Sequence, residues 1–148
     1  MMDLYCGVGL FSALLADRFS RIVAVESSPS ACEDFAINLK SYDHISLYEG
    51  KVERALPEID ISPDCVIVDP PRNGMNRFAV DALIEKTTPV IIYVSCNPST
   101  LARDIKRLSK GGYHLDQSIL VDMFPQTYHI ESVNLLFPPS TTMSSPFK

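Results

Sequence analysis

Along most of the chain, short apolar runs at strand period alternate with apolar positions at helical spacing. Residues 1–5 read as the end of a strand, and Cys6-Gly7-Val8-Gly9 as the turn that follows. Leu10, Phe11, Leu14 and Leu15 then repeat at helical spacing. Residues 21–26 form a buried strand with an acidic end. Pro29 is placed to open a helix at Ser28, with Ala31, Phe35, Ala36 and Leu39 as its apolar stripe. A third strand falls at 45–48, a short helix at 50–56, and a fourth strand at 64–68, ahead of Asp69-Pro70-Pro71-Arg72. A helix at 77–86 and a fifth strand at 89–94 come next. Asn97 and Pro98 make an N-cap and first-turn pair for a helix carrying Leu101, Ile105 and Leu108 on one face. Gly111 and Gly112 stop it.

Beyond residue 112 the alternation changes. Residues 113–122 and 132–137 read as two strands joined by a connection too short for a crossover helix, so the pair is antiparallel. Five strand-then-helix units imply an α/β fold, a mostly parallel sheet with helices on both faces. With its seven strands and a terminal antiparallel strand, this layout resembles the Rossmann-like class I methyltransferase fold. Nicotinamide dehydrogenases normally keep their last strands parallel. Residues 1–137 are expected to form one domain, its first strand truncated, and 138–148, rich in Ser, Thr and Pro, a flexible tail.

Composition narrows the class of partner. The net charge of −5 argues against a self-sufficient nucleic-acid binder, because phosphate contacts need clustered Lys and Arg. If the substrate is RNA or DNA, another module must supply much of the grip. Each apolar run is interrupted by charge before it reaches the ~18 residues of a membrane span. The N-terminus lacks the layout of a signal peptide. Cys6, Cys32, Cys65 and Cys96 form no C-x-x-C pair, so neither a zinc site nor a disulfide framework is signalled, and no metal is expected. Reduced thiols in a cytoplasmic protein are the plain expectation.

In parallel sheets of this kind, ligands sit beyond the carboxyl ends of the strands. Three loops there carry chemistry. In the first, Gly7 and Gly9 permit tight turning and close approach of a ligand to backbone, although Ser12 stands where a dinucleotide fingerprint wants a third glycine. Glu26 ends the second strand, where a carboxylate can accept both hydroxyls of a ribose; NAD and S-adenosylmethionine both offer them. In the second loop, two prolines hold Asp69 at the mouth of the sheet. In the third, Cys96 immediately precedes a helix N-terminus capped by Asn97, a setting that favours a thiolate. Near the last strand, Glu131 lies among Ile130, Val133 and Leu135, where burial raises a carboxyl towards the range of a general base. Cys96, His129 and Glu131 can also be read as a thiol-hydrolase set, but such an enzyme has no use for the glycine loop, Glu26 or Asp69.

Four motifs in order, D-L-Y-C-G-V-G-L-F-S, D-P-P-R, V-S-C-N-P-S-T-L-A-R-D and D-M-F-P-Q-T-x-H-I-E-S-V, resemble those of the RNA 5-methyluridine (uracil-C5) methyltransferases. The resemblance runs from Asp3 to about Phe137. It implies S-adenosyl-L-methionine as cofactor and tRNA or rRNA as substrate. It further implies Cys96 as nucleophile, Glu131 as proton acceptor, and Tyr5, Glu26 and Asp69 as cofactor contacts. Lys51 stands where a small polar or acidic cofactor contact is expected. Members of the family carry a long N-terminal part, often with a β-barrel that holds RNA. The chain therefore looks like the carboxyl-terminal catalytic portion of a longer enzyme, and the acidic charge agrees with that. Thr100 and Arg103 fall where they can approach RNA phosphates or simply form a solvated first helical turn. Two alternatives remain at this stage: an amino-group methyltransferase acting on a nucleobase, which needs no Cys96, and a cofactor-binding fragment with impaired catalysis.

Overall fold

The computed structural model describes residues 1–123, 125–127 and 130–138. Its centre is a seven-stranded sheet: β1 (Met2–Leu4), β2 (Ile22–Glu26), β3 (Ile45–Glu49), β4 (Val66–Val68), β5 (Ile91–Ser95), β6 (His114–Val121) and β7 (Glu131–Phe137). The spatial order is β3-β2-β1-β4-β5-β7-β6. The first five strands pair in parallel. Strand β7 is antiparallel to both neighbours, so β6 again runs parallel to the rest. The chain winds outward in one direction from β1 to β3 and in the other from β4 onward. The switch point, and the crevice it opens, therefore lies above β1 and β4.

Five helices connect the strands: α1 (Leu10–Leu14), α2 (Pro29–Asn38), α3 (Val52–Glu58), α4 (Arg77–Glu85) and α5 (Pro98–Leu108). The central strands are largely apolar on both sides, with Asp3 of β1 a buried exception, as a sheet covered on both faces requires. Leu4, Val25, Val68 and Tyr93 pack beneath Leu56, Leu83 and Leu108 of α3, α4 and α5. On the other face, Ile22 and Ile67 meet Phe11 and Leu15, while Ala24 meets Phe35 and Leu39 of α2. Helix α2 starts at Pro29 with Ser28 as N-cap, and α5 starts at Pro98 behind Asn97, both as the sequence predicts. Gly112, at φ +91°, ends the turn that follows α5.

The differences from expectation are local. Helix α3 spans Val52–Glu58, against the expected 50–56, and carries Pro57 inside it. Strand β5 is shifted, ending at Ser95. The last two strands are antiparallel to each other as predicted, but β7 inserts between β5 and β6. Burial alternates along β7, as suits an internal position, whereas β6 is exposed throughout and carries a bulge between Leu115 and Gln117. A bulge and polar positions on an edge strand discourage pairing with another chain. The expected tail lies outside the described residues except for Pro138.

Gly9 has a packing role in this frame. It sits at φ +90°, and a Cβ there would come within 2.7 Å of Leu39 and 2.8 Å of Phe35. Left-handed strain and overpacking would act together, so Gly9→Ala should cost about 2–4 kcal/mol in urea unfolding. An unchanged midpoint would mean that α2 can move aside.

Candidate functional site

Five elements bring chemistry to one edge of the sheet. Tyr5 follows β1, Glu26 ends β2, Asp69 follows β4, Cys96 follows β5, and Glu131 begins β7, which runs the other way. The first loop is fixed from below. Asp3 is fully buried, and its Oδ2 accepts from the Ser12 amide (3.1 Å) and hydroxyl (2.6 Å). Ser12, in place of a third glycine, is thus the anchor that ties α1 to β1. Burial pushes the Asp3 carboxyl up, and the Ser12 bonds pull it part of the way back. Its Oδ1 has no partner among the described residues. Tyr5 adopts φ +63°, a strained conformation for a residue with a Cβ. Burial and the nearby charges of Glu53 and Asp104 keep its phenol neutral.

Glu26 is oriented by backbone. Its Oε2 accepts from the Gly7 amide at 3.0 Å, and its Oε1 from Ser27 (2.6 Å) and Ser28 (2.7 Å). The carboxylate therefore holds the glycine loop and the start of α2 together while facing a cleft of about 620 Å³. Tyr5, Ser27, Lys51, Val52 and Pro71 are among the other lining residues. Nothing lies within 4 Å of where a Gly7 side chain would be, so a ligand has room to approach that backbone. A cleft of this volume, an oriented carboxylate and an open glycine backbone fit a nucleoside-bearing cofactor. Gly7, joined to this cleft through Glu26, does not line it, nor do Gly9, Asp69, Cys96 and Glu131. Lys51 does, as the N-cap of α3 without a capping bond. Among the described residues, no group of three or more His, Cys, Asp or Glu is arranged to hold a metal. None of the helices described is long and apolar enough to cross a membrane.

The second neighbourhood is built by the β5–β7 pair. The last register pair is Ser95 with Ser132; Cys96 follows Ser95 in the bend after β5, and Glu131 precedes Ser132 at the start of β7. Buried polar groups lock that register. Asn134 Nδ2 donates to the Tyr93 carbonyl and to Ser132 Oγ, both at 3.0 Å, and Ser118 Oγ donates to Asn134 Oδ1 at 2.5 Å. A slip by one residue would orphan these groups and turn the apolar side chains of β7 over. Cys96 is half-buried, whereas Cys6, Cys32 and Cys65 are buried. Burial pushes all three of these thiols up, Cys65 to about 11. His129 lies outside the described residues.

The Asp69 loop and the Cys96 loop are tied together by α5. Asn97 Nδ2 and Thr100 Oγ1 both donate to the Arg72 carbonyl at 3.1 Å. Arg103 Nη2 donates to the carbonyls of Asn73 (2.9 Å) and Met75 (3.2 Å). Thr100 and Arg103 are thus committed to positioning the loop, and the expected approach to phosphates is not their arrangement here. Behind them Asp104 is fully buried. It accepts from the Met75 amide (2.7 Å), the Tyr93 hydroxyl (2.8 Å) and Arg103 Nε (2.9 Å). Sequence reasoning missed Asp3, Tyr93 and Asp104. The signal for Asp104 was present: a charged residue on the stripe of Leu101, Ile105 and Leu108 demands a buried partner.

The strand order, with an antiparallel β7 beside β5, defines a Rossmann-like class I methyltransferase fold. Residues 51–138 match the family model described as tRNA (Uracil-5-)-methyltransferase, and the chain belongs to that family. An uncharacterized RNA methyltransferase of Aquifex aeolicus is 43% identical over 138 residues, covering 91% of this chain and 32% of the relative. One from Streptomyces avermitilis is 40% identical over 141 residues, covering 93% and 33%. The Pyrococcus abyssi tRNA (uracil-54, C5)-methyltransferase, solved with S-adenosyl-L-homocysteine, superposes with a TM-score of 0.79 at 36% identity, covering 91% of this chain and 33% of its own. The chain thus spans about a third of the length of these relatives.

Asp69 is shifted by its surroundings. The residue is solvent-accessible, but the concave mouth strips water from its carboxyl, and the like charges of Glu131 and Asp3 add to this. Together they push its pKa up from 3.8 to about 6. Between those values the folded protein keeps a proton that the unfolded chain has lost, so stability falls as pH rises through that window. Asp69→Asn should therefore melt a few degrees above the parent at pH 7.5. That gap should shrink as pH drops from 6 to 4. A pH-independent gap in calorimetric melting would show that Asp69 titrates normally.

Proposed function

We propose that this domain, residues 1–137, transfers a methyl group from S-adenosyl-L-methionine to C5 of a uridine in tRNA or rRNA. What supports the reading is the β5–β7 pairing, whose last register pair is Ser95 with Ser132, so that Cys96 and Glu131 each lie one residue beyond it, with Asp69 at the neighbouring strand end. Uracil C5 is a poor nucleophile because the ring is electron-deficient. Addition of the Cys96 thiolate to C6 forms a C–S bond and pushes the ring electrons into an enolate with density at C5. The cofactor, when bound, supplies an electrophilic methyl group on a sulfonium. Glu131 then takes the C5 proton, and the electron pair left behind expels Cys96 from C6 as thiolate, restoring the double bond. Tyr5, Gly7 and Glu26 hold the nucleoside end of the cofactor, with Gly9 shaping the loop. Asp69 stands between cofactor and base. The target uridine must leave its stack to reach Cys96. An amino-group methyltransferase would leave the half-exposed thiol without use.

Two variants test the order of events with this chain, S-adenosyl-L-methionine and a uridine-bearing RNA. Cys96→Ala should abolish both methylation and any covalent complex. Glu131→Gln should still add and methylate but stall before elimination, so a protein–RNA band accumulates that survives denaturation. Parent-rate turnover by Glu131→Gln would remove Glu131 as the base. No thiol-dependent adduct under any condition would sink the covalent reading. For the cofactor, Glu26→Ala should weaken S-adenosyl-L-homocysteine binding by about 1.5–3 kcal/mol in calorimetric titration. Unchanged affinity would move the ribose contact elsewhere.

A further inference from the structure

The chain carries a net charge of −5, yet cations gather on one side of it. Arg103, Arg107 and Lys110 are spaced by four and three residues, so they share one face of α5 and the turn after it. Arg77 opens α4 beside them. The cleft of about 620 Å³ and a second of about 400 Å³ both include Arg77 and Arg107, so a continuous groove runs from the site to Lys110. Arg103 is committed to Asp104 and to loop carbonyls. Arg107 is half-buried and Lys110 exposed, and neither has a hydrogen bond or ion pair among the described residues. The Arg77–Asp81 pair is long, at 3.7 Å, with side chains 70% and 53% exposed. It contributes little and leaves Arg77 available. Glu26, held by backbone amides, and Glu53, which accepts from Asn76 Nδ2 at 3.5 Å, line the upper cleft, and Asp81 lines the lower one. Arg107 borders both clefts, so its guanidinium can meet an anion there.

We infer that Arg77, Arg107 and Lys110 form a docking track for phosphates of the RNA strand that flanks the target base. This rests on the proposed function. Arg107 follows the start of α5, next to Cys96, by nine residues, about 14 Å along the helix axis, and Lys110 lies about one turn further on. Guanidinium forks suit phosphate oxygens. The track guides the strand away from the site, while the uridine enters it.

The test is fluorescence anisotropy with a labelled RNA hairpin carrying uridines in its loop, titrated against this chain at stepped salt. The parent should bind measurably at low salt, with an affinity that falls as salt rises. Arg107→Ala/Lys110→Ala should weaken binding about tenfold and reduce the slope of log K against log salt by about 1.4–1.8, since each neutralised phosphate contributes about 0.7–0.9. Arg107→Glu/Lys110→Glu should weaken it further, and Lys40→Ala, past the end of α2, should change nothing. Circular dichroism checks each fold, and the Gln pair replaces the Ala pair if the latter melts early. Equal slopes in parent and double variant overturn the track. So does a parent that fails to bind RNA at the lowest salt, or one that binds a polyglutamate peptide in preference to RNA. Failure of the proposed function would show instead as lost S-adenosyl-L-homocysteine binding or a missing Cys96 adduct, with the salt slope unchanged.

Discussion

A buried carboxylate holds the two halves of the site in register. Asp104 lies on the inner face of α5 with no access to water, and three donors from three places converge on it: Met75 from the β4–α4 loop, Tyr93 from β5 and Arg103 from its own helix. An unpaired charge at such depth would cost several kcal/mol, so the donors and the carboxylate fix one another. Arg103, Thr100 and Asn97 then reach outward to the carbonyls of 72–75, and the loop that presents Asp69 becomes an extension of the helix that follows Cys96. Positioning of Cys96 and positioning of Asp69 are one structural event.

The β5–β7 pair completes this arrangement from the other side. Asn134 and Ser132 place polar atoms inside the sheet and satisfy them across the strands, which makes any other register expensive. That register brings the start of β7, where Glu131 lies, to the end of β5, which Cys96 follows. The cost of gathering Asp3, Asp69 and Glu131 at one mouth is visible in the raised Asp69 carboxyl. Such a concentration of negative charge disfavours the folded state and favours a cationic ligand, a usual exchange of stability for function.

Net charge hides a local pattern. One cleft carries both signs, with Glu26 and Glu53 on its β2 and α3 side and Arg77, Arg103 and Arg107 on its α4 and α5 side, and Lys110 extends the cationic side into the neighbouring cleft. An overall charge of −5 predicts weak RNA binding by the chain, and a local basic track is compatible with that.

Hydrophobic period and turn chemistry determined the element order, the mostly parallel sheet and the strand ends on which Tyr5, Glu26, Asp69 and Cys96 sit, because these are local properties of the backbone and of residues such as Pro29, Pro98 and Gly112. The motifs around Gly7, Asp69, Cys96 and Glu131 made the family legible. Tertiary structure alone decided the rest. That β7 inserts beside β5, and so brings its Glu131 end to the end of β5 that Cys96 follows, depends on pairing between distant segments, which local pattern does not encode. That Gly9 is required by Phe35 and Leu39, that Ser12 replaces a third glycine as an anchor for Asp3, and that Arg103 turns inward to Asp104 each depend on which side chains meet through space. A sequence shows that a charge lies on an apolar stripe. Only the packed core shows which donors satisfy it.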